Sequence, residues 1–315
     1  MSRRDRPLHP GTAWVHGTAW AALAAVSLAG CGADSDRSLS GLIEIDGSST
    51  VFPISQAMAE EFQIAYRRAV RVSVGVSGTG GGFQRFCNGE TEIANASRRI
   101  NDAEAASCAA HGIEPVELQV AWDGLTVVVH PSNDWVDCVS VTELRRLWTP
   151  GSDIVNWRQV RPAWPDEDLR LYGPDTDSGT FDYFTAAVVG EEGASRHDYA
   201  ASTDDNVLVA GVSGDPGALG YFGYAYFEDN RGHLRALEVD AGGGCVAPTR
   251  ETILDGTYTP LARPMYIYVR RDALVRPEVN AFVSFYIDHA ATLIPEAGYM
   301  PLEPEAYATL RARIG

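Results

Sequence analysis

Residues 42–62 read LIEIDGSSTVFPISQAMAEEF, and this stretch sets a pattern that the rest of the chain repeats. Its short apolar run predicts a β-strand, and the amphipathic segment that begins near Pro53 predicts a helix. Between them lies a loop of glycine and hydroxyl residues at 47–50. Similar strand and helix segments alternate through the middle of the chain, an order typical of βα units and parallel sheets. The sequence therefore predicts an α/β protein.

Three other segments share the small, glycine- or hydroxyl-rich composition of residues 47–50: SGTGGG at 77–82, NASR at 95–98 and DSGT at 177–180. Each precedes a predicted helix, whose N-terminus presents free backbone N–H groups and a partial positive charge to an approaching anion. Ser and Thr hydroxyls add further donors. Taken singly, each segment is better explained by N-capping. Taken together, the four predict a cage of N–H and O–H donors around a small tetrahedral oxyanion.

Such a cage needs a cation, and to distinguish phosphate from sulfate it also needs an acceptor. Arg98 is the predicted cation, because a guanidinium group makes two parallel hydrogen bonds to an oxyanion. Phosphate near neutral pH carries a proton that sulfate lacks, so a carboxylate would accept that proton and repel sulfate. Asp177 and Asp182 flank the fourth segment and are the predicted acceptors. N-capping is the alternative role for Asp177, and solvent exposure is the alternative for Asp182.

The first 40 residues predict export. Arginines at positions 3, 4 and 6 precede an apolar stretch at 20–29 that is too short to span a bilayer. The stretch runs into LAGC at 28–31, which resembles the lipobox of bacterial lipoproteins, where cleavage precedes the cysteine and its thiol is acylated. We therefore expect a signal peptide at 1–30, a lipidated Cys31 and a tether at 31–40. The mature protein would then be held at the outer face of the cytoplasmic membrane or in the periplasm; the alternative is a soluble signal with an incidental cysteine.

Composition excludes several classes of function. The formal net charge of −17 argues against a nucleic-acid partner, and the absence of lysine excludes lysine-based covalent catalysis. The sequence contains no CxxC pair or Cys/His cluster, so we predict no metal and no cofactor. Four cysteines follow Cys31, at positions 87, 108, 138 and 245. In an oxidising compartment an even number favours two disulfides, and three pairings are open.

Six segments also carry a resemblance to a known family: GSSTVFP (47–53), GTGGGF (78–83), IANASR (93–98), AWDGLTVVV (121–129), DSGTFDYF (177–184) and DDNVLVAGVSGDPGALGYFGYAYF (204–227). In content and order they resemble the periplasmic phosphate-binding proteins of the high-affinity phosphate ABC transporter, the PstS family. The branch with two internal disulfides looks most similar. The resemblance extends over about residues 42–302. It implies a two-lobed type II periplasmic binding protein fold, with inorganic phosphate in a cleft between two α/β lobes.

The resemblance also implies ligand positions. Thr50 and Val51 occupy the first loop, where the family uses one side chain and one backbone N–H, and Thr79 occupies the second. The third loop supplies Ser178, Gly179 and Thr180, while Ser49 and Gly80 complete the predicted set as neighbours in the same donor-rich segments.

Two positions depart from the best-known members of the family. Those members have Asp where this chain has Arg98, and Arg where it has Pro174. The cation is therefore predicted to have moved from one lobe to the other, and the identity of the acceptor carboxylate stays open.

A hinge with two crossings follows from the implied fold. We expect the crossings at residues 122–124 and 261–264, each joining a loop to a strand. Lobe I would comprise residues 41–122 and 264–315, and lobe II residues 125–262. We predict the pairs Cys87–Cys108 and Cys138–Cys245, and on this division one disulfide lies inside each lobe, which is compatible with hinge motion. The aromatic run at 221–227 is interpreted as core.

The function that the resemblance implies is binding of phosphate by a monomer, which delivers it by cleft closure to the permease subunits of an ABC transporter. An exported phosphatase is the rival in another class, but the sequence shows no GxSxG elbow and no metal-ligand cluster. The same fold could instead bind sulfate, molybdate or a phosphorylated metabolite. Phosphate sensing without transport is also open.

Overall fold

The computed structural model describes residues 39–176 and 178–314. The predicted signal peptide, Cys31, most of the predicted tether and Asp177 lie outside the described residues. Within those ranges, none of the helices has both the length and the apolar character that a bilayer crossing requires.

Strands and helices alternate along the described chain, as the sequence predicted. The strands are β1 (Gly41–Gly47), β2 (Val70–Val74), β3 (Ile93–Ala96), β4 (Pro115–Val129), β5 (Cys138–Ser140), β6 (Arg170–Pro174), β7 (Ala200–Ser202), β8 (Ala218–Gly223), β9 (Arg235–Ala236), β10 (Glu238–Asp240), β11 (Cys245–Val246), β12 (Ala262–Arg270) and β13 (Met300–Pro301). The helices are α1 (Phe52–Ala65), α2 (Gly78–Cys87), α3 (Asp102–Ala110), α4 (Val141–Trp148), α5 (Trp157–Val160), α6 (Gly179–Phe184), α7 (Asp205–Ser213), α8 (Tyr224–Asp229), α9 (Arg250–Leu254), α10 (Pro277–Glu296) and α11 (Pro304–Ile314). A π-helical turn at Thr185–Val189 extends α6, and a 3₁₀ turn at Ala273–Val275 precedes α10.

The helix starts follow local signals in the sequence. Pro53 lies in the first turn of α1, where its missing N–H costs no helical hydrogen bond. Ser140 caps α4: its hydroxyl accepts from the Glu143 N–H, and the Glu143 carboxylate accepts from the Ser140 N–H at 2.8 Å. These caps fix where the chain turns from strand or loop into helix.

The main sheet has two halves that share one long strand. Its order is β2-β1-β3-β12-β4-β8-β6-β7, with β13 and β9 added to β4. In one half β1 pairs in parallel with β2 and β3, and in the other β6 pairs in parallel with β7 and β8. The 15-residue strand β4 pairs with β12 in its first part and with β8 and β9 in its second.

Each half of the sheet has its own hydrophobic core. Phe62, Leu118 and Phe282 belong to one core, whose buried members come from residues 43–121 and 265–314. Trp148 and Tyr221 belong to the other, whose members come from residues 125–261 together with Met300. The predicted α/β class with two lobes is therefore confirmed. The residue limits given above for the lobes stay a prediction.

The first hinge crossing differs from the prediction of a loop joined to a strand, because residues 122–124 lie inside β4, whereas at the second crossing Leu261 precedes the start of β12, as predicted. At the crossings β4 and β12 run antiparallel, with Asp123 opposite Arg263 and Gly124 opposite Ala262. The Leu125 N–H extends the contact by donating to the Leu261 carbonyl at 2.8 Å. Hydrogen bonds between the two strands satisfy backbone groups that loops would leave to solvent. A two-stranded ribbon thus connects the two cores.

Both predicted disulfides are present. Cys87–Cys108 joins α2 to α3, and its two half-cystines are buried. Cys138–Cys245 joins β5 to β11, and Cys245 is exposed.

A mild reductant added to the native protein is expected to open Cys138–Cys245 before Cys87–Cys108. Thiol–disulfide exchange requires access to a sulfur atom. Cys245 is exposed, whereas Cys87 and Cys108 are both buried. Differential alkylation followed by mass spectrometry measures the order. Equal reduction rates in protein that circular dichroism shows to be folded would contradict this expectation.

Candidate functional site

The four donor-rich segments all follow the carboxyl ends of strands. The first three follow or end β1, β2 and β3, which are parallel neighbours, and the fourth follows β6. Parallel strands bring the loops at their carboxyl ends to one edge of a sheet, where α/β proteins bind ligands. The topology therefore explains how segments far apart in sequence come close together.

The first and second loops are held in close contact. A Cβ atom at Gly82 would lie 2.5 Å from the Gly47 Cα, so only glycine lets α2 approach the β1–α1 loop so closely. Buried Asp46 joins the two loops by accepting from the Ser77 hydroxyl at 2.5 Å and pairing with Arg85. These contacts fix the position of the α2 N-terminus relative to the first loop.

A cavity of about 450 Å³ lies in front of these loops. Six of the predicted site residues line it: Ser49, Thr50, Thr79, Gly80, Arg98 and Asp182. Its wall also contains Ser97, Tyr183 and Arg263, which sequence reasoning did not select.

The remaining predicted residues lie elsewhere. Ser178, Gly179 and Thr180 line a second cavity of about 420 Å³, which shares Ser49 with the first. The Val51 side chain is fully buried in a hydrophobic core, so only its backbone is available to a ligand. The predicted residues thus surround two neighbouring cavities rather than a single cage.

The aromatic run at 221–227 is core with one exception. Tyr221, Phe222, Tyr224 and Phe227 are buried, as predicted. Tyr226 instead lines the second cavity.

The N-capping alternative holds for only one of the three loops that lead directly into a helix. Ser178 caps α6, because its hydroxyl accepts from the Thr180 N–H at 3.2 Å. The N-caps of α1 and α2, by contrast, have no side-chain hydrogen bond. Their first N–H groups are consequently not satisfied by a capping side chain.

Two hydroxyls lie together at the α2 end of the first cavity. The Thr79 and Ser97 oxygens are 3.1 Å apart, and the Thr79 oxygen also accepts from the Ser97 N–H at 3.2 Å. Ser97 belongs to the NASR segment, so its position before Arg98 was the available signal for including it.

Arg98, the predicted cation, lines the first cavity but is paired with a carboxylate. Its two terminal nitrogens donate to Glu104 at 2.9 and 2.8 Å, and its side chain is 45% exposed. Glu104 is fixed in turn, because it completes the cap of α3 by accepting from the Asn101 N–H at 3.0 Å. Arg98 is therefore held at the rim by the start of α3.

Arg263 occupies the interior of the same wall. Its Nε and Nη2 atoms each donate to one oxygen of Asp123 at 3.1 Å, and Nη2 also donates to the Thr50 hydroxyl oxygen at 2.6 Å. Its guanidinium carbon lies 3.6 Å from the centre of the Tyr183 ring. The side chains of Arg263 and Asp123 are 15% and 3% exposed. No local sequence signal identifies this pair, because the two residues meet only through the β4–β12 register.

Asp182 and Asp123 have raised pKa values. Burial raises the pKa of Asp182, and the Glu192 charge adds to the shift, while Arg263 and a hydrogen bond from Ser49 oppose it. Burial likewise raises the pKa of Asp123, against the opposing effect of Arg263. Asp182 is half-buried and lines the cavity, so simple solvent exposure does not describe it. Asp177, the other predicted acceptor, lies outside the described residues.

Within residues 39–176 and 178–314, one cluster brings three atoms of metal-ligand type together, from Cys138, Glu238 and Cys245. Both sulfurs belong to the disulfide and are not thiolates. A metal would need the thiolate form, so this cluster does not fit one.

Comparisons with known proteins agree with the fold. Residues 31–289 match the model of the PBP superfamily domain. Protein SphX of Synechococcus elongatus is 49% identical over 275 residues, covering 86% of this chain and 81% of its own. Phosphate-binding protein PstS of Staphylococcus saprophyticus is 35% identical over 297 residues, covering 92% and 91%. A crystal structure of a possible phosphate binding protein from Planctomyces limnophilus superimposes with a TM-score of 0.84 at 48% identity, over 88% of this chain and 98% of that one.

Gly179→Ala is expected to weaken binding of an oxyanion at the first loop. A Cβ atom there would lie 3.1 Å from the Thr50 Cα and Oγ1 atoms. The loop that contains Gly179 would therefore have to move away from the loop that contains Thr50. Overpacking of this kind costs about 1–3 kcal/mol. Titration calorimetry with inorganic phosphate, the ligand that the resemblance implies, measures the loss.

Gly232→Ala is the matched control, because a Cβ atom at Gly232 meets no atom within 4 Å. Equal affinity of the Gly179 and Gly232 variants would show that contact between the two loops is irrelevant to binding.

Proposed function

Because the chain belongs to the periplasmic phosphate-binding protein family and has its two-lobed type II fold, we propose that it binds inorganic phosphate outside the cytoplasm. It then delivers the ion to the permease of an ABC transporter when its cleft closes and reopens. The observation that carries the proposal is the first cavity, where hydroxyls, helix N-termini, two arginines and a half-buried carboxylate converge.

The proposed ligand groups come from loops on both sides of the cleft. On one side they are Ser49, Thr50, the Val51 N–H, Thr79, Gly80 and Arg98. On the other they are Ser178, Gly179 and Thr180. The close approach of Gly179 to Thr50 supports this assignment, because it brings the third loop against the first. Two α-helix N-termini without side-chain caps, those of α1 and α2, add N–H donors.

Asp182 is the proposed acceptor of the ligand proton. It lines the cavity. Its pKa is raised mainly by burial and further by the negative charge of Glu192. A carboxylate at this position repels sulfate, which has no proton to donate. The mechanism requires no covalent step, because binding and release depend only on hydrogen bonds and on movement of the lobes.

The lobes are proposed to comprise residues 41–122 with 264–315 and residues 125–262, a division that the two hydrophobic cores support. Attachment through a lipid on Cys31 is proposed from the LAGC sequence at 28–31, at the outer face of the cytoplasmic membrane or in the periplasm. The protein is proposed to act there as a monomer.

Titration calorimetry tests the function. The mature chain, freed of bound anion by unfolding and refolding, is titrated with phosphate and then with sulfate at pH 7.5. We expect one phosphate per chain and sulfate affinity at least 100-fold lower, which corresponds to about 2.7 kcal/mol. Binding of neither anion would overturn the proposal, and preference for sulfate would assign the fold to another oxyanion.

Asp182→Asn is expected to reduce the preference for phosphate over sulfate at least tenfold, or by about 1.4 kcal/mol. The amide removes the repulsive charge and can donate to sulfate. Affinities for both anions are measured by the same titration. Asp134→Asn, at an exposed position, is the control and should leave both affinities unchanged. Unaltered selectivity in the Asp182 variant would mean that another group accepts the proton.

A further inference from the structure

We propose that Arg263, rather than Arg98, is the principal cation of the ligand cavity and that Asp123 is the residue that positions it. This inference rests on the phosphate-binding function proposed above. It concerns which side chain supplies the charge in that site.

The two arginines differ in where their free donors lie. A guanidinium group has five N–H donors, and each arginine uses three of them. In Arg98 both terminal nitrogens are bound to the Glu104 carboxylate and Nη1 also donates to the Arg99 carbonyl at 3.1 Å, so the two remaining N–H groups are split between Nε and Nη2. In Arg263 the bonds to Asp123 and Thr50 use Nε and Nη2 only. Among the described residues Nη1 of Arg263 has no hydrogen-bond partner, so its two N–H groups are available to an anion.

Burial favours Arg263 in the same comparison. Its side chain is 15% exposed, whereas that of Arg98 is 45% exposed. Hydrogen bonds between charged groups strengthen as solvent is excluded, because the effective dielectric constant falls. An anion in contact with Arg263 would therefore be bound more strongly than one at the solvent-exposed rim.

Arg263 is also fixed in place before a ligand arrives. Asp123 fixes one side of the guanidinium group, and the Tyr183 ring lies against its face at 3.6 Å. A side chain that is already ordered loses little conformational entropy on binding. Arg98 would have to leave Glu104 before both of its terminal nitrogens could face the ligand.

The bond between Arg263 and Thr50 orients a second donor. The Thr50 oxygen accepts from Nη2 at 2.6 Å, which leaves its own hydroxyl hydrogen free to donate elsewhere. Thr50 lines the same cavity. Arg263 therefore supplies two N–H donors directly and directs a predicted ligand hydroxyl.

The position of the pair in the fold couples binding to the hinge. Asp123 and Arg263 are opposite residues of β4 and β12, the strands that connect the two cores. Arg263 also contacts Thr50 in the first loop and Tyr183 in α6, which follows the third loop. An anion bound to Nη1 would thus act on the residue where both sides of the cleft and both hinge strands meet. The best-known members of the family have an arginine where this chain has Pro174. Arg263, from β12, would supply the positive charge that proline at that position lacks.

Titration calorimetry of the mature chain with inorganic phosphate tests the proposal. Arg263→Gln is expected to lower affinity at least 100-fold, and Arg263→Lys to recover part of that loss because it keeps the charge but not the planar fork. Arg98→Gln is expected to lower affinity less than tenfold. Arg158→Gln, which removes another exposed, ion-paired guanidinium, is the control and should bind as the wild type does.

Arg263→Gln leaves Asp123 buried without its partner, which can destabilise the fold. The double variant Arg263→Gln/Asp123→Asn removes that unpaired charge and should show the same loss of affinity. Affinity within threefold of the wild type in this folded double variant, or a 100-fold loss in Arg98→Gln alone, would overturn the assignment. A wild-type protein that does not bind phosphate would overturn the proposed function instead.

The positioning role of Asp123 has its own readout. Asp123→Asn is expected to reduce the rise in Tm that saturating phosphate produces, in addition to lowering the Tm of the free protein. A purely structural role would lower both Tm values equally and leave the ligand-induced rise unchanged, which would contradict the positioning role.

Discussion

The antiparallel pairing of β4 with β12 is the constraint on which the rest of the structure depends. It joins residues about 140 positions apart in sequence and places Asp123 opposite Arg263. The same two strands contribute to both hydrophobic cores and lie in the middle of the main sheet. The register of one strand pair therefore determines both how the lobes connect and which cation faces the cavity.

Much of the fold was predictable because its signals are local. Sequence patterns within a few residues predict the donor-rich loops, the strands before them and the start of α1 at Pro53. The number of cysteines left three pairings open, and the predicted pairs Cys87–Cys108 and Cys138–Cys245 are the two that the structure contains. The convergence of loops from β1, β2 and β3 follows from parallel strand order, which the βα alternation already indicated.

The site was less predictable than the fold. Its side-chain partners depend on the register between strands that are far apart in sequence, and on which carboxylate or ligand pairs with each arginine. Arg263 and Asp123 carry no motif, and their roles appear only when the pairing of β4 with β12 places them opposite each other. Arg98 was selected for its charge, but Glu104, six residues further on, binds both of its terminal nitrogens. The predicted residues line two cavities, and the close approach of Gly179 to Thr50 joins loops that are about 130 residues apart in sequence, so no single segment predicts it.

A connection made of two hydrogen-bonded strands limits the kind of motion that the lobes can undergo. Paired β-strands twist readily about their long axis, whereas bending within the plane of the sheet would break the hydrogen bonds that join them. Relative rotation of the lobes is therefore expected to occur mainly as torsion of this ribbon rather than as a swing about a flexible point. Torsion has an elastic restoring force, so the apo protein should explore a narrow range of openings around one preferred angle.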